Sequence, residues 1–221
     1  MIRRAGIALV LTGGVPGIAR AAGPALVDDA GVVAAGQCEL EAFINTSLGP
    51  GWRRIFSPTC GFSGLRGWEV GVIAAQDGPG GHVVPGIAVK AALAARGALS
   101  LGLELSAGFD PEGNSADYLA SNFAATLALV PGVTININAG LDQAPGLGVF
   151  PTWGFGAAVE PRSNWWLVAE AAGRQGFRTR WQAGVRHVGG PWQFDAMISH
   201  AIDETRGDKW ITLGVTYSFS R

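Results

Sequence analysis

The C-terminal stretch KWITLGVTYSFSR, residues 209–221, alternates apolar and polar side chains. Apolar side chains occupy one face, and small polar residues or glycine occupy the other, which is the two-residue period of a β-strand. The apolar face consists of Ile211, Leu213, Val215, Tyr217 and Phe219. The stretch predicts an amphipathic strand at this end of the chain, with a plain edge strand of a soluble domain as the alternative.

The same stretch resembles the C-terminal signal by which outer-membrane β-barrels are recognised for insertion. That signal combines a polar residue, a glycine two places later and aromatic residues near the end. Thr212, Gly214, Tyr217 and Phe219 fill these positions. We therefore expect this C-terminal assembly signal to be recognised by the barrel-assembly machinery of a Gram-negative bacterium, with the protein located in the outer membrane.

The first residues have the pattern of a secretory signal peptide. A basic start is followed by an apolar stretch over 5–19, and Ala19-Arg20-Ala21 offers a cleavage site between small residues. The apolar stretch is shorter than the roughly 20 residues of a spanning helix. We predict a cleaved signal peptide over 1–21, a periplasmic N-terminal segment over 22–36 and a barrel over 37–221.

Composition agrees with a β-barrel that is exported. The chain has 34 glycines, 8 tryptophans, 15% charged residues and a mean hydropathy of +0.25, which suits apolar faces turned outward. Loss of Arg3, Arg4 and Arg20 with the signal peptide leaves 13 basic against 17 acidic residues, a net charge of −4. An acidic chain argues against a nucleic-acid partner, since such partners require a basic surface.

Twelve alternating segments separated by turn signals follow the N-terminal region. Their even number suits a bacterial single-chain barrel, and their lengths suit strands of about 9–11 residues that cross a membrane obliquely. We predict an all-β fold, a transmembrane antiparallel up-and-down β-barrel of about twelve strands. The segments are 37–47, 52–62, 68–76, 82–94, 98–109, 118–130, 133–142, 149–160, 165–173, 177–188, 192–202 and 209–219.

Charged residues decide which face of the strands points inward, because alternation alone gives only the period. Leucines alternate with Ser100, Gly102, Glu104 and Ser106, and isoleucines alternate with Asn136 and Asn138. Charges on the polar faces include Glu39, Glu41, Glu69 and Lys90. Unpaired in a dry core, each would cost several kcal/mol, whereas a water-filled lumen avoids that cost. The predicted lumen-lining residues are Glu104, Glu170, Arg178, Arg180, Arg186 and Asp195.

The two cysteines lie symmetrically about a strong turn signal at 48–51. An antiparallel hairpin about that turn places Cys38 opposite Cys60, and the oxidising periplasm favours a disulfide there. Two free thiols are the alternative. The chain has no C-x-x-C motif and no local metal-ligand spacing, so we expect neither a metal site nor a cofactor.

Connections of one parity are acidic and glycine-rich, which predicts that they lie outside the cell, opposite short periplasmic turns. They include 110–117 and 203–208. These loops are either solvated tips or contacts to ion-bridged phosphates of lipopolysaccharide, the expected partner together with outer-membrane lipid. Tryptophans near the strand ends, Trp210 and Trp192 among them, predict aromatic belts at both membrane interfaces.

Catalysis has little support in the sequence. The three histidines, His82, His187 and His200, have no neighbouring serine motif of a barrel phospholipase, and no nucleotide-binding fingerprint is present. We expect a protein that is not an enzyme.

The start of the predicted mature chain resembles a family of proteobacterial outer-membrane proteins. The shared features are DDAGVVAAGQCELE over 28–41, in which Val33, Gly36 and Glu41 carry the element V-x-x-G-x-x-x-x-E, followed by PTCG over 58–61 and EVGV over 69–72. This family is known as "MetA-pathway of phenol degradation" proteins or transporters. The resemblance implies an outer-membrane barrel that passes small molecules, with aromatic compounds among the candidates.

The sequence thus predicts a narrow passive channel for small molecules. A closed structural or adhesive barrel without a pore is the alternative. A soluble periplasmic barrel that binds an apolar ligand is a third interpretation.

Overall fold

The structure is a computed structural model that describes residues 25–47, 51–62, 67–78, 81–109, 116–144, 146, 148–202 and 209–221. The expected signal peptide over 1–21 and nearly all of the acidic connections at 110–117 and 203–208 lie outside these residues. In the described part, no helix is long and apolar enough to cross a membrane. The strands are β1 (Gln37–Ser47), β2 (Trp52–Gly61), β3 (Trp68–Asp77), β4 (Val83–Arg96), β5 (Leu99–Phe109), β6 (Ala116–Val130), β7 (Val133–Ala144), β8 (Gly148–Arg162), β9 (Trp165–Arg174), β10 (Arg180–Gly189), β11 (Trp192–Ala201) and β12 (Lys209–Ser220).

The twelve described strands close into a single barrel. Each strand pairs antiparallel with the next one along the chain, and β12 pairs with β1 to complete the ring. The closing ladder places Cys38 opposite Phe219 and Ser47 opposite Trp210. The predicted antiparallel up-and-down barrel of twelve strands is confirmed.

The two ends of the barrel carry different connections. At the terminal end, where β1 begins and β12 ends, four connections contain only two residues each, namely 97–98, 131–132, 163–164 and 190–191. Backbone φ is positive at one residue of each turn, as in tight hairpins: +60° at Gly97, +77° at Gly132, +69° at Asn164 and +58° at Gly190. The fifth connection at this end, 62–67, contains six residues, and we call the opposite end, whose connections contain three to seven residues, the loop end.

Large apolar side chains cover the outer surface of the barrel. Leu105 is 55% exposed, Ile137 53% and Leu213 53%, whereas the polar side chains of Lys90 and Gln182 are each only 2% exposed. A soluble β-barrel has the opposite distribution, with apolar side chains inside. The exposed tryptophans Trp68, Trp165 and Trp192 lie at the terminal end, in the position of an interfacial aromatic belt.

Two details of the strands differ from the sequence-based expectation. The strand predicted to begin at residue 177 begins at Arg180, because a turn with φ of +80° at Gly176 and a hydrogen bond from Phe177 N–H to the Arg174 carbonyl precedes it. Trp210 shares the inward parity of Thr212 and borders a cavity inside the loop end. The expected outer belt therefore loses Trp210 to the interior.

Candidate functional site

The lumen contains a stretch of chain as well as wall side chains. Residues 25–36, which we call the inner segment, enter the barrel from the terminal end before β1 begins. The prediction placed 22–36 in the periplasm as a separate segment, but 25–36 lie against inward-facing residues of the strands. The physical reason is that these inward residues offer acceptors for the backbone of the segment, and its small apolar residues fit against glycines of the wall.

Backbone N–H groups of the inner segment donate to side chains from four different strands. Leu26 N donates to Glu170 Oε2 at 2.7 Å, Asp28 N to Asn138 Oδ1 at 2.7 Å and Ala30 N to Thr126 Oγ1 at 2.8 Å. Val33 N donates to Glu69 Oε2, and Asn138 Nδ2 returns a hydrogen bond to the Asp28 carbonyl at 2.9 Å. The polar wall therefore satisfies backbone groups that would otherwise be buried without partners.

Small residues let the inner segment approach the wall closely. Val27, Ala30 and Val33 are 2%, 2% and 6% exposed. A Cβ added to Gly156 would lie 3.3 Å from Val27 Cβ, and one added to Gly102 would lie 3.0 Å from the Ala30 carbonyl oxygen. A side chain at either of these positions of β5 and β8 would press on the inner segment.

Lys90 of β4 joins the wall to the inner segment by ion pairs. Its Nζ lies 2.9 Å from Asp28 Oδ1 and 3.9 Å from Asp29 Oδ1. Pairing across the strands places Glu69 and Glu104 on either side of it. One buried ammonium thus stands among four carboxylates, and without it the charges of these groups would repel one another.

Asp29 lies outside the strands and has a perturbed acidity. Burial raises the pKa of its carboxyl to about 6, while Lys90 lowers it, the neighbouring Asp28 raises it and the Gly31 N–H, which donates to Asp29 Oδ1 at 2.6 Å, lowers it. Burial has the largest effect, so the net shift of the pKa is upward.

Three of the predicted lining residues lie in the middle of the wall. Glu170 is buried and accepts from Leu26 N and, at 2.6 Å, from Gln182 Nε2. Arg186 Nε donates to Asp195 Oδ1 at 2.7 Å across the β10–β11 ladder, and Gln193 Nε2 donates to the other oxygen at 2.9 Å. These contacts run along the wall and to the inner segment.

The other three predicted residues are spread over different depths. Glu104 lines a cavity in the middle of the barrel. Arg180 lines a cavity at the loop end, and its guanidinium carbon lies 5.7 Å from the centre of the Trp210 ring. Arg178 is exposed in the connection before β10. The structure therefore does not bring Arg178 to the wall together with the others.

Space for solvent surrounds the inner segment. A cavity of about 750 Å³ at the loop end is bordered by Leu26 of the segment and by Arg53, Arg180 and Thr212 of the wall. A second, of about 290 Å³, lies between Asp28 and β1 to β6, and its polar lining includes Glu41, Glu69, Lys90 and Glu104. Phe43, Arg53 and Ile55 border both cavities. These two spaces adjoin on the β1 side of the segment, and a third space of about 190 Å³ lies beside Leu26 and Asp28 against β5 to β8.

The cysteines form the predicted bridge. Cys38 and Cys60 are joined by a disulfide in the β1–β2 ladder, where they are directly opposite. They share the outward parity of Leu40, so the bridge belongs to the outer face, near the terminal end. The residues of the expected assembly signal lie in β12, with Tyr217 and Phe219 on the outer face and their rings 5.9 Å apart.

Comparison with protein-family profiles identifies the family to which the chain belongs. The profile of the family described as "Uncharacterised conserved protein UCP029691" matches residues 8–219. The chain belongs to this family. A search of curated proteins found no match.

Solved structures similar to this family member are porins. The KdgM porin superposes with a TM-score of 0.68 at 9% identity, over 82% of this chain and 99% of that porin. The NanC porin superposes with a TM-score of 0.61 at 9% identity, over 81% and 98% of the two chains. These likenesses show a porin-like barrel fold. They do not support the "MetA-pathway of phenol degradation" description that the N-terminal motifs suggested.

Sequence reasoning about this family member missed the partners of the inner segment. Asp28 and Asp29 precede the first strand, so no alternation indicates where they point. Asn138 was on the predicted polar face of its strand, and Lys90 was among the predicted inward charges, yet neither pattern reveals a second chain segment opposite. No group of three or more described His, Cys, Asp or Glu residues is placed to hold a metal ion.

Proposed function

We propose that the protein is an outer-membrane channel through which small water-soluble molecules diffuse passively. An outer surface of large apolar side chains supports contact with lipid. A closed ring of twelve strands lies between the eight-stranded barrels that side chains fill and the sixteen-stranded porins that hold an open channel. The fold shared with the KdgM and NanC porins agrees with this function.

The observation that carries the proposal is the solvent space beside the inner segment. The loop-end cavity and the cavity lined by Glu41 and Glu104 share the border residues Arg53 and Ile55. These adjoining spaces support a route for water and small solutes past the segment on the β1 side.

The orientation follows from the same proposal. The terminal end faces the periplasm and the loop end faces the outside, so the acidic connections meet lipopolysaccharide. Export requires cleavage after the signal peptide over 1–21, and insertion uses the signal of Thr212, Gly214, Tyr217 and Phe219. One KdgM porin structure is described as a complex with disordered oligogalacturonate, which supports a small-molecule substrate for this chain without naming it.

A closed structural barrel is the second candidate, and the inner segment favours it. Hydrogen bonds from Leu26, Asp28, Ala30 and Val33 hold this segment inside the barrel. A barrel in which the segment never moves and the remaining space does not connect both ends would conduct nothing.

Planar-bilayer recording of the refolded protein separates the two candidates. Discrete conductance steps that appear with folded protein, and not with heat-denatured protein or detergent alone, are the expected result. Swelling of liposomes in neutral sugars of increasing size then gives the size limit. Recovery in the outer-membrane fraction without any conductance would overturn the channel and leave the closed barrel.

A further inference from the structure

The inner segment is attached to the wall in a different manner from the strands. It pairs backbone to backbone at Ala35 and Gly36, where Gly36 N donates to the Gly61 carbonyl at 3.1 Å. From residue 26 to residue 33 it is held by side-chain acceptors of the wall. Segments without a full ladder open locally at a lower free energy than strands do.

Gly36 is placed to act as a hinge for this segment. It separates the inner segment from β1, and its φ of +79° lies in the region that favours glycine. An added Cβ would meet nothing within 4 Å. Rotation there breaks two hydrogen bonds that lie outside the strand ladders, from Gly36 N to the Gly61 carbonyl and from Arg221 N to the Gly36 carbonyl.

A charge-assisted ion pair attaches the segment to the wall. Lys90 Nζ of β4 lies 2.9 Å from the Asp28 carboxylate, and both side chains are largely buried. The wall ladder at Lys90 is intact without Asp28, since β4 pairs with β3 and β5 through its backbone. Loss of the Asp28 carboxylate therefore weakens the docking of the segment, while the ring of paired strands stays intact.

We propose that the inner segment is a gate that closes the lumen, with Gly36 as its hinge and the ion pair between Lys90 and Asp28 as its attachment. When docked, residues 25–33 restrict passage to the narrow space on the β1 side. When released toward the terminal end, they leave a wide lumen lined by Glu104, Asn138 and Glu170. This inference rests on the proposed channel function.

A disulfide lock tests the gate in the complete protein. Val27 Cβ lies 3.3 Å from the Cβ that a side chain at Gly156 would have, close to the spacing of about 3.5–4.5 Å in a disulfide. We expect wild-type protein to switch between a low and a high conductance level in a planar bilayer. The oxidised Val27→Cys/Gly156→Cys variant should stay at the low level, and dithiothreitol should restore switching.

Two controls accompany the lock. Wild-type protein with dithiothreitol accounts for reduction of the native bridge between Cys38 and Cys60, and the single Val27→Cys variant accounts for loss of the valine. If the double variant does not fold, as judged by its heat-modifiable mobility on a gel, Asp28→Asn provides the test. That variant should raise the occupancy of the high level by about tenfold or more, because a charge-assisted contact is lost.

The outcomes separate the gate from the channel. Switching in wild-type protein that is absent from the oxidised lock, or more frequent in Asp28→Asn, supports the gate. Conductance at a single level that neither variant changes overturns the gate and leaves the channel. Absence of conductance in wild-type protein, in the reduced lock and in Asp28→Asn overturns both.

Discussion

The Nζ of Lys90 lies 2.9 Å from Asp28 Oδ1, although 62 positions separate the two residues in sequence. This contact joins the middle of β4 to a segment that precedes every strand. Both side chains are largely buried, so the loss of one leaves the other buried with one fewer opposite charge nearby. The position of the inner segment is therefore sensitive to single charges.

Substitution Lys90→Met should release the inner segment. It leaves Asp28, Asp29, Glu69 and Glu104 without their common ammonium, and repulsion among these carboxylates then opposes docking. In an Ala30→Cys background, we expect a water-soluble maleimide to label the new thiol about tenfold faster or more. Lys90→Arg keeps the charge and should label more slowly than Lys90→Met. Equal labelling of Lys90→Met and its parent would contradict this role.

Docking of the inner segment should weaken as pH rises through 6. The Asp29 carboxyl has a pKa of about 6 when docked, against 3.8 ordinarily, so the docked state binds the proton more tightly. The contribution of the Asp29 carboxyl to the stability of the docked segment is therefore greatest below about pH 4. This contribution is lost as the pH rises to 6 and above.

The bilayer measurement for this pH effect compares wild type with Asp29→Asn at pH 5 and pH 7.5. High-level conductance should be more frequent at pH 7.5 in wild type, and the difference should shrink in the variant. The carboxyl faces Asp28 in the segment, Lys90 in β4 and, at longer range, Arg186 in β10. Glu69 and Glu104 are unchanged in the variant, so an identical pH profile in the two proteins would exclude Asp29 as the source.

Charge reversal at Arg180 should change ion selectivity. Arg180 lines the loop-end cavity, so Arg180→Glu replaces a positive charge with a negative one beside the solvent route. The reversal potential in a salt gradient should shift toward cation preference, and the shift should decrease at 1 M salt, where the Debye length is about 3 Å. Arg178→Glu is the matched control in the exposed connection, where a smaller shift is expected. Unchanged selectivity in Arg180→Glu would place the conducting route elsewhere.

Removal of the disulfide should destabilise the barrel without changing its architecture. Cys38 and Cys60 are 22 positions apart, and a bridge over a loop of this length stabilises a protein by about 3 kcal/mol. We expect the Cys38→Ser/Cys60→Ser variant to unfold at lower urea concentration in lipid vesicles. Reduced wild-type protein should show the same decrease. A variant that unfolds at the same concentration as the oxidised wild type would show that the bridge has no effect on stability.

The fold was predictable because the sequence of each strand alternates between apolar and polar residues. Alternation in 99–105 and 209–219 gives the period, and charges such as Glu170 and Asp195 give the inward face. The antiparallel hairpin about 48–51 also fixed the partner of Cys38. Strand ends were less predictable, as β10 shows: Phe177 and Arg178 continue the alternation, but the turn at Gly176 delays pairing until Arg180.

The inner segment was not predictable in the same way. Residues 25–36 follow neither a helical nor a strand period, and their partners come from strands β3, β4, β6, β7 and β9. Acceptors such as Asn138 and Thr126 look like ordinary lumen polarity in the sequence. Only the closed ring brings them to face one stretch of backbone. The charged residues of the lumen wall were therefore predicted, but the segment inside the lumen was not.

The glycines at 102 and 156 have a consequence for engineering. Because they lack side chains, the inner segment lies close against the wall at these positions. The ladders from β1 through β12 close the ring without this segment. A Cβ at Gly102 would lie 3.0 Å from the Ala30 carbonyl oxygen, so a larger residue there crowds the inner segment rather than a neighbouring strand. Under the proposed channel function, a substitution at this wall position would change how tightly residues 25–33 fill the lumen.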